Sequence, residues 1–181
     1  MAQNPQNALE GEGKWQRASS PSPADPGLQA TRQLTQVELD ELLEQPLIAT
    51  LATYRKDGTV LLSPVWHEWR DEGFNVLVGE NDIKLRHIQE RPTASVVVYD
   101  HVPPYRGVEA RCRARVIEGG YKDAQRRMAD RYLRTVAPYY GQVPHGLAAS
   151  GLLLRLEPEA VRSWQFRDLF PELEGADDRH G

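Results

Sequence analysis

Residues 59–69, with the sequence TVLLSPVWHEW, place apolar side chains on both faces of one predicted β-strand, because successive side chains point to opposite faces. One face carries Val60, Leu62, Pro64 and Trp66, and the other carries Leu61, Ser63, Val65, His67 and Trp69. We expect one face to fill a protein core and the other to meet a second chain or a bound ring system. Pro64 has no amide hydrogen to donate, so the strand should bulge, open or lie at an edge there.

The rest of the chain predicts further short strands joined by turns, with helices at the periphery. Thr35 and Glu38 form a capping box that opens a helix with the apolar stripe Val37, Leu39, Leu42 and Leu43, and a later helix begins at Asn81 or Asp82. A third helix is predicted around 120–137. The other predicted strands span 47–53, 74–79, 93–100, 106–118, 149–158 and 160–166. This order predicts a mainly β fold with peripheral helices, a small barrel or sandwich of six to seven strands.

The two ends differ from this central part in composition. Residues 1–33 are rich in Gly, Pro, Ser, Gln and Ala, which predicts a disordered tail, and 171–181 form a second polar tail around a domain at 34–170. The net charge of −4 gives no support to nucleic-acid binding. A single cysteine excludes an internal disulfide and a multi-cysteine zinc site. The lack of a signal peptide and of a long apolar run predicts a cytoplasmic protein that does not enter membranes.

Two clusters carry candidate chemistry. His67 lacks a second histidine four residues later, so the sequence disfavours a metal site and favours a structural or cofactor-lining role for His67. Lys84, Arg86 and His87 follow the start of a helix, where free amides and the positive end of the helix dipole suit a phosphate. The alternative is a solvated basic face. Asp82 counts against phosphate, because its carboxylate would repel an anion there.

The predicted strand 106–118 alternates between an apolar and a charged face. The apolar face carries Val108, Ala110, Cys112, Ala114 and Val116, and the other carries Glu109, Arg111, Arg113 and Arg115. Cys112 is thus expected to pack inward. The row of charged residues on the other face is expected to be solvated. Tyr105 and Arg106 follow a Pro-Pro loop that could hold them at a pocket mouth. The sequence contains no Ser-His-Asp arrangement, phosphate-gripping Gly loop or convincing carboxylate pair, so an enzyme of this kind would need a cofactor to carry the chemistry.

The order of these parts resembles the split β-barrel flavin and deazaflavin oxidoreductases, the superfamily of pyridoxamine 5'-phosphate oxidase. The resemblance covers roughly residues 34–166 and rests on "IATLATYRKDGTVLLSPVWHEW", "FNVLVGENDIKLRHIQERPTASVVV" and "PPYRGVEARCRARV". It implies a homodimer with two cofactor sites at the subunit interface. The strand Leu62, Ser63, Pro64, Val65, Trp66 would run beside the cofactor ring, with Thr50 and Ala52 nearby. Lys84 and Arg86 would hold the cofactor phosphate.

The resemblance also implies a function, with some departures. The compact length and the "PPYRGVE" segment look more like the branch that uses coenzyme F420, with FMN as the alternative. The expected reaction is hydride transfer between the ring and an unsaturated or conjugated small molecule, with Tyr105 and His67 as candidate proton donors. Many relatives have a hydroxylic or basic residue before the lysine, where this chain has Asp82 and Ile83, and the Arg-x-His motif of vitamin B6 oxidation is absent. The alternatives are a non-catalytic binder of flavin, deazaflavin or haem, and an interaction module of an unrelated barrel type.

Overall fold

A computed structural model of the chain describes residues 32–140 and 150–169. The predicted tails, apart from Arg32 and Gln33, lie outside the described residues. Three α-helices are described: α1 Gln36–Glu44, α2 Ile83–Glu90 and α3 Tyr121–Tyr140. The described strands are β1 Ala49–Tyr54, β2 Val60–Val65, β3 His67–Arg70, β4 Gly73–Val78, β5 Thr93–Tyr99, β6 Arg106–Ile117 and β7 Leu152–Gln165.

All seven strands join one antiparallel sheet in the order β2-β1-β5-β6-β7-β4-β3. The strands β2 and β3 lie at opposite edges of this sheet, yet only Trp66 separates them along the chain. The sheet must therefore curl until its two edges approach each other at Trp66. This is a split barrel, and it confirms the prediction of a mainly β fold with peripheral helices.

Two strand predictions were wrong in their boundaries. The single strand predicted over 59–69 is interrupted at Trp66, two residues after Pro64, and its halves join different edges of the sheet. The two predicted closing strands form one strand, β7, because a bulge absorbs the irregularity between them. Opposite this bulge, Arg111 pairs with Ala160 while Cys112 pairs with Pro158, which leaves Glu159 as the extra residue.

The inner face of the sheet surrounds the main core. Side chains of β4, β5, β6 and β7 alternate into it, and α1 and α2 add Leu39, Leu42, Leu43, Leu85 and Ile88. The Thr35 and Glu38 capping box is present, but Val37 is 67 % exposed, so it does not belong to the buried stripe. Strand β5 buries alternate side chains, because only one of its faces meets the core.

The outer face of the sheet has two unlike halves. The helix α3 covers the part formed by β3, β4 and β7 with a second apolar cluster of Ala124, Met128, Tyr132 and Leu153, against which Trp66, Leu77 and Ile117 pack. No described helix packs on the part formed by β2 and β1, where Leu62 is 65 % and Val60 45 % exposed. We call the part of the outer face formed by β3, β4 and β7 the covered half. The part formed by β2 and β1 is the uncovered half.

Candidate functional site

A cleft of about 320 Å³ lies on the border between the two halves. One wall is the end of β2 with Trp66, the second is the end of β4, and the third is the start of α3. Lys84, near the beginning of α2, lies in the wall as well. The residues that line the cleft are Pro64, Val65, Trp66, Leu77, Val78, Gly79, Lys84, Tyr121 and Gln125. The structure therefore brings four of the predicted site residues together, namely Pro64, Val65, Trp66 and Lys84.

The indole of Trp66 is held by an aromatic stack. Its ring lies parallel to that of Tyr132, with 4.9 Å between the ring centroids and 1° between the planes. The Tyr132 hydroxyl donates to the Leu47 carbonyl at 2.7 Å and accepts from the His67 amide at 3.1 Å. Burial raises the pKa of Tyr132 above its ordinary value, so the phenol stays protonated at neutral pH. The cleft thus has a rigid, flat, apolar wall.

The Lys84 ammonium is neutralised by the residue that caps its own helix. Asp82 is the N-cap of α2 and accepts from the Lys84 amide at 2.8 Å, while its second carboxylate oxygen lies 2.7 Å from Lys84 Nζ. Only 15 % of the Lys84 side chain is exposed. An anion that binds here has to share Lys84 with Asp82, and the helix start already holds a carboxylate of the chain itself.

Arg86 lies elsewhere. Its side chain lines a different cleft on α2, together with Arg55, Lys56, Asp57, Ile83, His87 and Glu90. Lys84 and Arg86 are two residues apart on a helix, so they point to different sides of it. His87 is 3 % exposed, and its Nδ1 lies 3.0 Å from the Thr53 hydroxyl. The three predicted basic residues therefore do not form one site. Lys84 and Arg86 line different clefts, and His87 is buried in a hydrogen bond with Thr53.

Thr50, Ala52 and Leu62 lie beside the cleft on the uncovered half. The register pairs Thr50 with Pro64 and Ala52 with Leu62, so these four side chains share one face of the sheet. Ser63 pairs with the fully buried Leu51 and lies on the opposite, inner face. Its side chain does not share the outer face, although its backbone runs along the same edge strand.

His67 is fully buried and is enclosed between α1 and α3. Its Nδ1 lies 3.0 Å from the Tyr132 hydroxyl, and Arg131, 3.4 Å from Nε2, also donates to the carbonyls of Leu43 and Gln45 at 3.1 and 2.5 Å. Burial, and then the nearby Arg131 charge, lower the pKa of His67 to about 3. The imidazole is therefore neutral at physiological pH, and this position gives it no surface in the cleft from which to donate a proton.

The remaining sequence candidates lie outside the cleft. Tyr105 is 42 % exposed and has a φ of 48° in the loop before β6, and its role as a proton donor stays a prediction. Cys112 is buried as expected, and burial raises the pKa of its thiol to about 12, which suits packing. Within 32–140 and 150–169, no group of three or more His, Cys, Asp or Glu side chains is arranged to hold a metal ion. No helix in the same described part is long and apolar enough to cross a membrane.

Sequence reasoning missed the two cleft residues that α3 contributes, Tyr121 and Gln125. They lie in the wall because α3 crosses the outer face with its first turn beside Gly151, and the Gln125 amide donates to the Tyr121 hydroxyl at 3.2 Å. The Gly119-Gly120 pair, with φ of 80° and 72°, predicts the sharp turn into this helix. It carries no signal for the face of the sheet on which the helix packs.

Three solved structures show the same fold as this chain. One, an F420 reductase, is 27 % identical with a TM-score of 0.57, and the match covers 68 % of this chain and 94 % of that one. An FAD-binding protein from Mesorhizobium loti is 22 % identical with a TM-score of 0.56, covering 75 % and 97 %. A haem-storage protein from Vibrio cholerae is 17 % identical with a TM-score of 0.54, covering 71 % and 94 %.

Among curated protein sequences, none matches this chain. The family model described as pyridoxamine 5'-phosphate oxidase matches residues 35–165, a span that runs from the N-cap of α1 to the last residue of β7. This span contains the whole described sheet and all three helices. With its split barrel and its cleft at the strand edge, the chain belongs to the pyridoxamine 5'-phosphate oxidase family.

Proposed function

We propose that this protein is a flavin- or deazaflavin-dependent oxidoreductase that transfers a hydride between a bound cofactor and an unsaturated or conjugated small molecule. The observation that carries this proposal is the cleft between β2, β4 and α3, which has flat apolar walls and one cation, Lys84. The likeness to an F420 reductase supports coenzyme F420 as the cofactor, and the likeness to an FAD-binding protein supports a flavin.

The residues of the cleft fit a planar ring that carries an anionic chain. The stacked indole of Trp66, with Leu77, offers an apolar surface against which a ring can lie. Pro64 leaves the edge strand without one amide hydrogen, and the other backbone groups of this edge can bond to polar atoms of a ring. Lys84 would meet the anionic chain, at the cost of weakening its ion pair with Asp82.

When bound, the ring supplies or accepts the hydride; the chain supplies position and environment. Trp66, fixed by Tyr132, sets the orientation of the ring plane, which matters because a reacting pair must be held in a narrow range of geometry. Lys84 would balance negative charge on the bound molecule.

We further propose that the protein is a homodimer whose interface includes the uncovered half. Leu62 and Val60 are exposed beside the partly buried Ala52, so an apolar strip lies in water in one protomer. Covering such a strip with a second copy would remove apolar surface from water and would close the cleft from its open side. Size measurement by analytical ultracentrifugation tests this proposal, and a monomer at micromolar concentration contradicts it.

The cofactor is best identified directly. Protein made in its native host is purified, the small molecules released on denaturation are analysed by mass spectrometry, and the visible spectrum is recorded before and after chemical reduction. The proposal expects one equivalent of deazaflavin or flavin per protomer. Protein that carries neither cofactor, and that binds neither when both are supplied in a titration, contradicts it.

A non-catalytic binder of flavin, deazaflavin or haem is the second candidate. The polar side chains in the cleft wall are few: Lys84, Tyr121 and Gln125, apart from the indole of Trp66. A storage protein needs no more than these, and one similar structure is a haem-storage protein. If the reduced cofactor is never reoxidised by a panel of enones, quinones and nitroaromatic acceptors under anaerobic conditions, the binder is favoured over the enzyme.

A further inference from the structure

The first residue of α3 places a phenol in the cleft. Tyr121 follows the Gly119-Gly120 turn and lines the same wall as Trp66 and Lys84. Its side chain is only partly exposed. Its hydroxyl is therefore held beside the surface on which the ring would lie.

The Tyr121 ring is held in place by a glycine. A Cβ built on Gly151 would lie 2.6 Å from Cε2 and 2.9 Å from Cζ of Tyr121, and 2.6 Å from the Val78 carbonyl oxygen. The ring therefore lies directly on the Gly151 backbone, beside the end of β4. A side chain at position 151 would require both the Tyr121 ring and the Val78 carbonyl to move away, or residue 151 itself to shift. The close approach shows that this ring position is built into the fold.

The hydroxyl of Tyr121 accepts a hydrogen bond from a side chain of the same helix. Gln125, one helical turn further along α3, donates its side-chain amide to the Tyr121 oxygen at 3.2 Å. A phenol has one hydrogen to donate and two lone pairs that accept. Gln125 donates to one of these lone pairs, so the Tyr121 oxygen is the acceptor in this hydrogen bond. This hydrogen bond holds the hydroxyl oxygen in position beside α3.

We propose that Tyr121 is the catalytic residue that protonates the substrate in this cleft and that Gln125 is its positioning residue. This inference rests on the proposed oxidoreductase function. The substrate carbon at the far end of a conjugated system gains a hydride, with its electron pair, from the reduced flavin or deazaflavin. The Tyr121 O–H bond breaks, its proton goes to the carbonyl-side atom of the substrate, and its electron pair stays on the phenolate. Solvent water then returns a proton to the phenolate, so the substrate is reduced and the cofactor oxidised by two electrons.

The kinetic test uses the holoenzyme with its native cofactor and 2-cyclohexenone as the acceptor. Tyr121→Phe keeps the ring on Gly151 and removes only the hydroxyl, so kcat is expected to fall about 100-fold or more while the cofactor Kd is unchanged. Gln125→Leu is expected to lower kcat about tenfold. Tyr99→Phe, which alters an exposed tyrosine outside the cleft, is the matched control and is expected to keep the wild-type rate.

A second readout does not depend on turnover. With the cofactor oxidised, 2-cyclohexenone binds without being reduced, and difference infrared spectroscopy reports the stretch of its carbonyl. A hydrogen bond from Tyr121 moves this band to lower frequency in the wild type. The shift is expected to be lost in Tyr121→Phe and reduced in Gly151→Ala, which displaces the ring, while thermal melting checks that both variants are folded.

The outcomes separate the two proposals. If the wild type reduces the enone and Tyr121→Phe keeps both the rate and the carbonyl shift, the role of Tyr121 is overturned while the proposed function stands. If the wild type binds neither deazaflavin nor flavin, the proposed function fails first and the inference fails with it. Loss of both rate and carbonyl shift in Tyr121→Phe, with cofactor affinity retained, supports the role.

Discussion

The covered and the uncovered halves of the outer sheet face are built from one continuous sheet but meet different surroundings. On the covered half, α3 buries Met128 and Tyr132, and Glu68 binds Arg127 and accepts from Asn75 at 2.9 Å. On the uncovered half, β2 alternates between exposed and partly buried residues, and Leu62 is mostly in water. The first half is therefore complete within one protomer, whereas the second still offers apolar surface to another molecule.

This difference explains where the cleft lies. At the border, the apolar surface of the uncovered half meets the fixed side chains that α3 supports, so a ligand finds both open space and rigid walls. Substitutions in the two halves should therefore affect different properties, and four predictions test this.

The largest effect is expected on the covered half from Tyr132→Ala. The side chain is 5 % exposed, stacks on Trp66 and bonds to the Leu47 carbonyl, so truncation should lower the free energy of unfolding by about 3–5 kcal/mol. Chemical denaturation followed by circular dichroism measures it. Tyr99→Ala, at a 40 % exposed tyrosine, is the control. Equal effects of the two variants would break the comparison.

A pH dependence is the second expectation for the covered half. His67 has a folded pKa of about 3 against an ordinary value of 6.5, so between these values the unfolded chain binds one proton more than the folded protein. The free energy of unfolding should therefore fall with decreasing pH through this window, by about 1.4 kcal/mol per pH unit well below pH 6.5.

The interval from about pH 6 to pH 5 is the cleanest for this test, because most carboxylates stay ionised there in both states. Denaturation curves at several pH values measure the slope. His67→Gln should flatten it, and His101→Gln, at an exposed histidine, should not. A slope that persists unchanged in His67→Gln would remove His67 as its source.

At the border, Lys84 and Asp82 should have opposite effects on cofactor affinity. Lys84→Met removes the cation of the cleft and should weaken binding of a phosphate-bearing cofactor by about 1–3 kcal/mol. Asp82→Asn keeps a good N-cap for α2 but removes the competing carboxylate, so it should strengthen binding by about 1 kcal/mol. Isothermal titration of the apoprotein measures both. A weaker affinity in Asp82→Asn would show that no anion binds at this helix start.

The smallest effect on the protomer is expected on the uncovered half. Leu62→Ser replaces a side chain that is 65 % exposed, so the unfolding free energy of a monomeric protomer should change by less than about 0.5 kcal/mol. The same change should weaken the proposed dimer, as measured by sedimentation over a concentration series. A large loss of protomer stability with unchanged self-association would reverse the assignment of the two halves.

Much of the fold followed from local patterns. The capping box at Thr35 and the alternation of β6 predicted elements that the structure contains, since caps and pleats depend on neighbours in sequence. The interruption at Trp66 was not predicted, because apolar residues on both sides of it are compatible with one long strand. The continuity of β7 through a bulge was also missed, because a proline at position 158 suggests the end of a strand.

The site was predictable only in part. Pro64, Val65, Trp66 and Lys84 do line one cleft, but Arg86 lies in another and Ser63 faces the inner side. Helical geometry alone separates Lys84 from Arg86. Tyr121 and Gln125 could not be assigned, because their place depends on where α3 packs.

The sequence by itself determined the helices, most strands and the family, because hydrophobic period, capping and turn residues are local properties. It also determined that residues 59–69 carry apolar side chains on both faces, so that the face turned away from the core is expected to contact another molecule. Only the tertiary structure decided that this segment divides at Trp66 between the two edges of one curled sheet. It decided, too, that α3 covers one half of the outer face and leaves the other exposed. The reason is that packing joins residues far apart in the chain, such as Tyr121 and Gly151, whose contact no local pattern encodes.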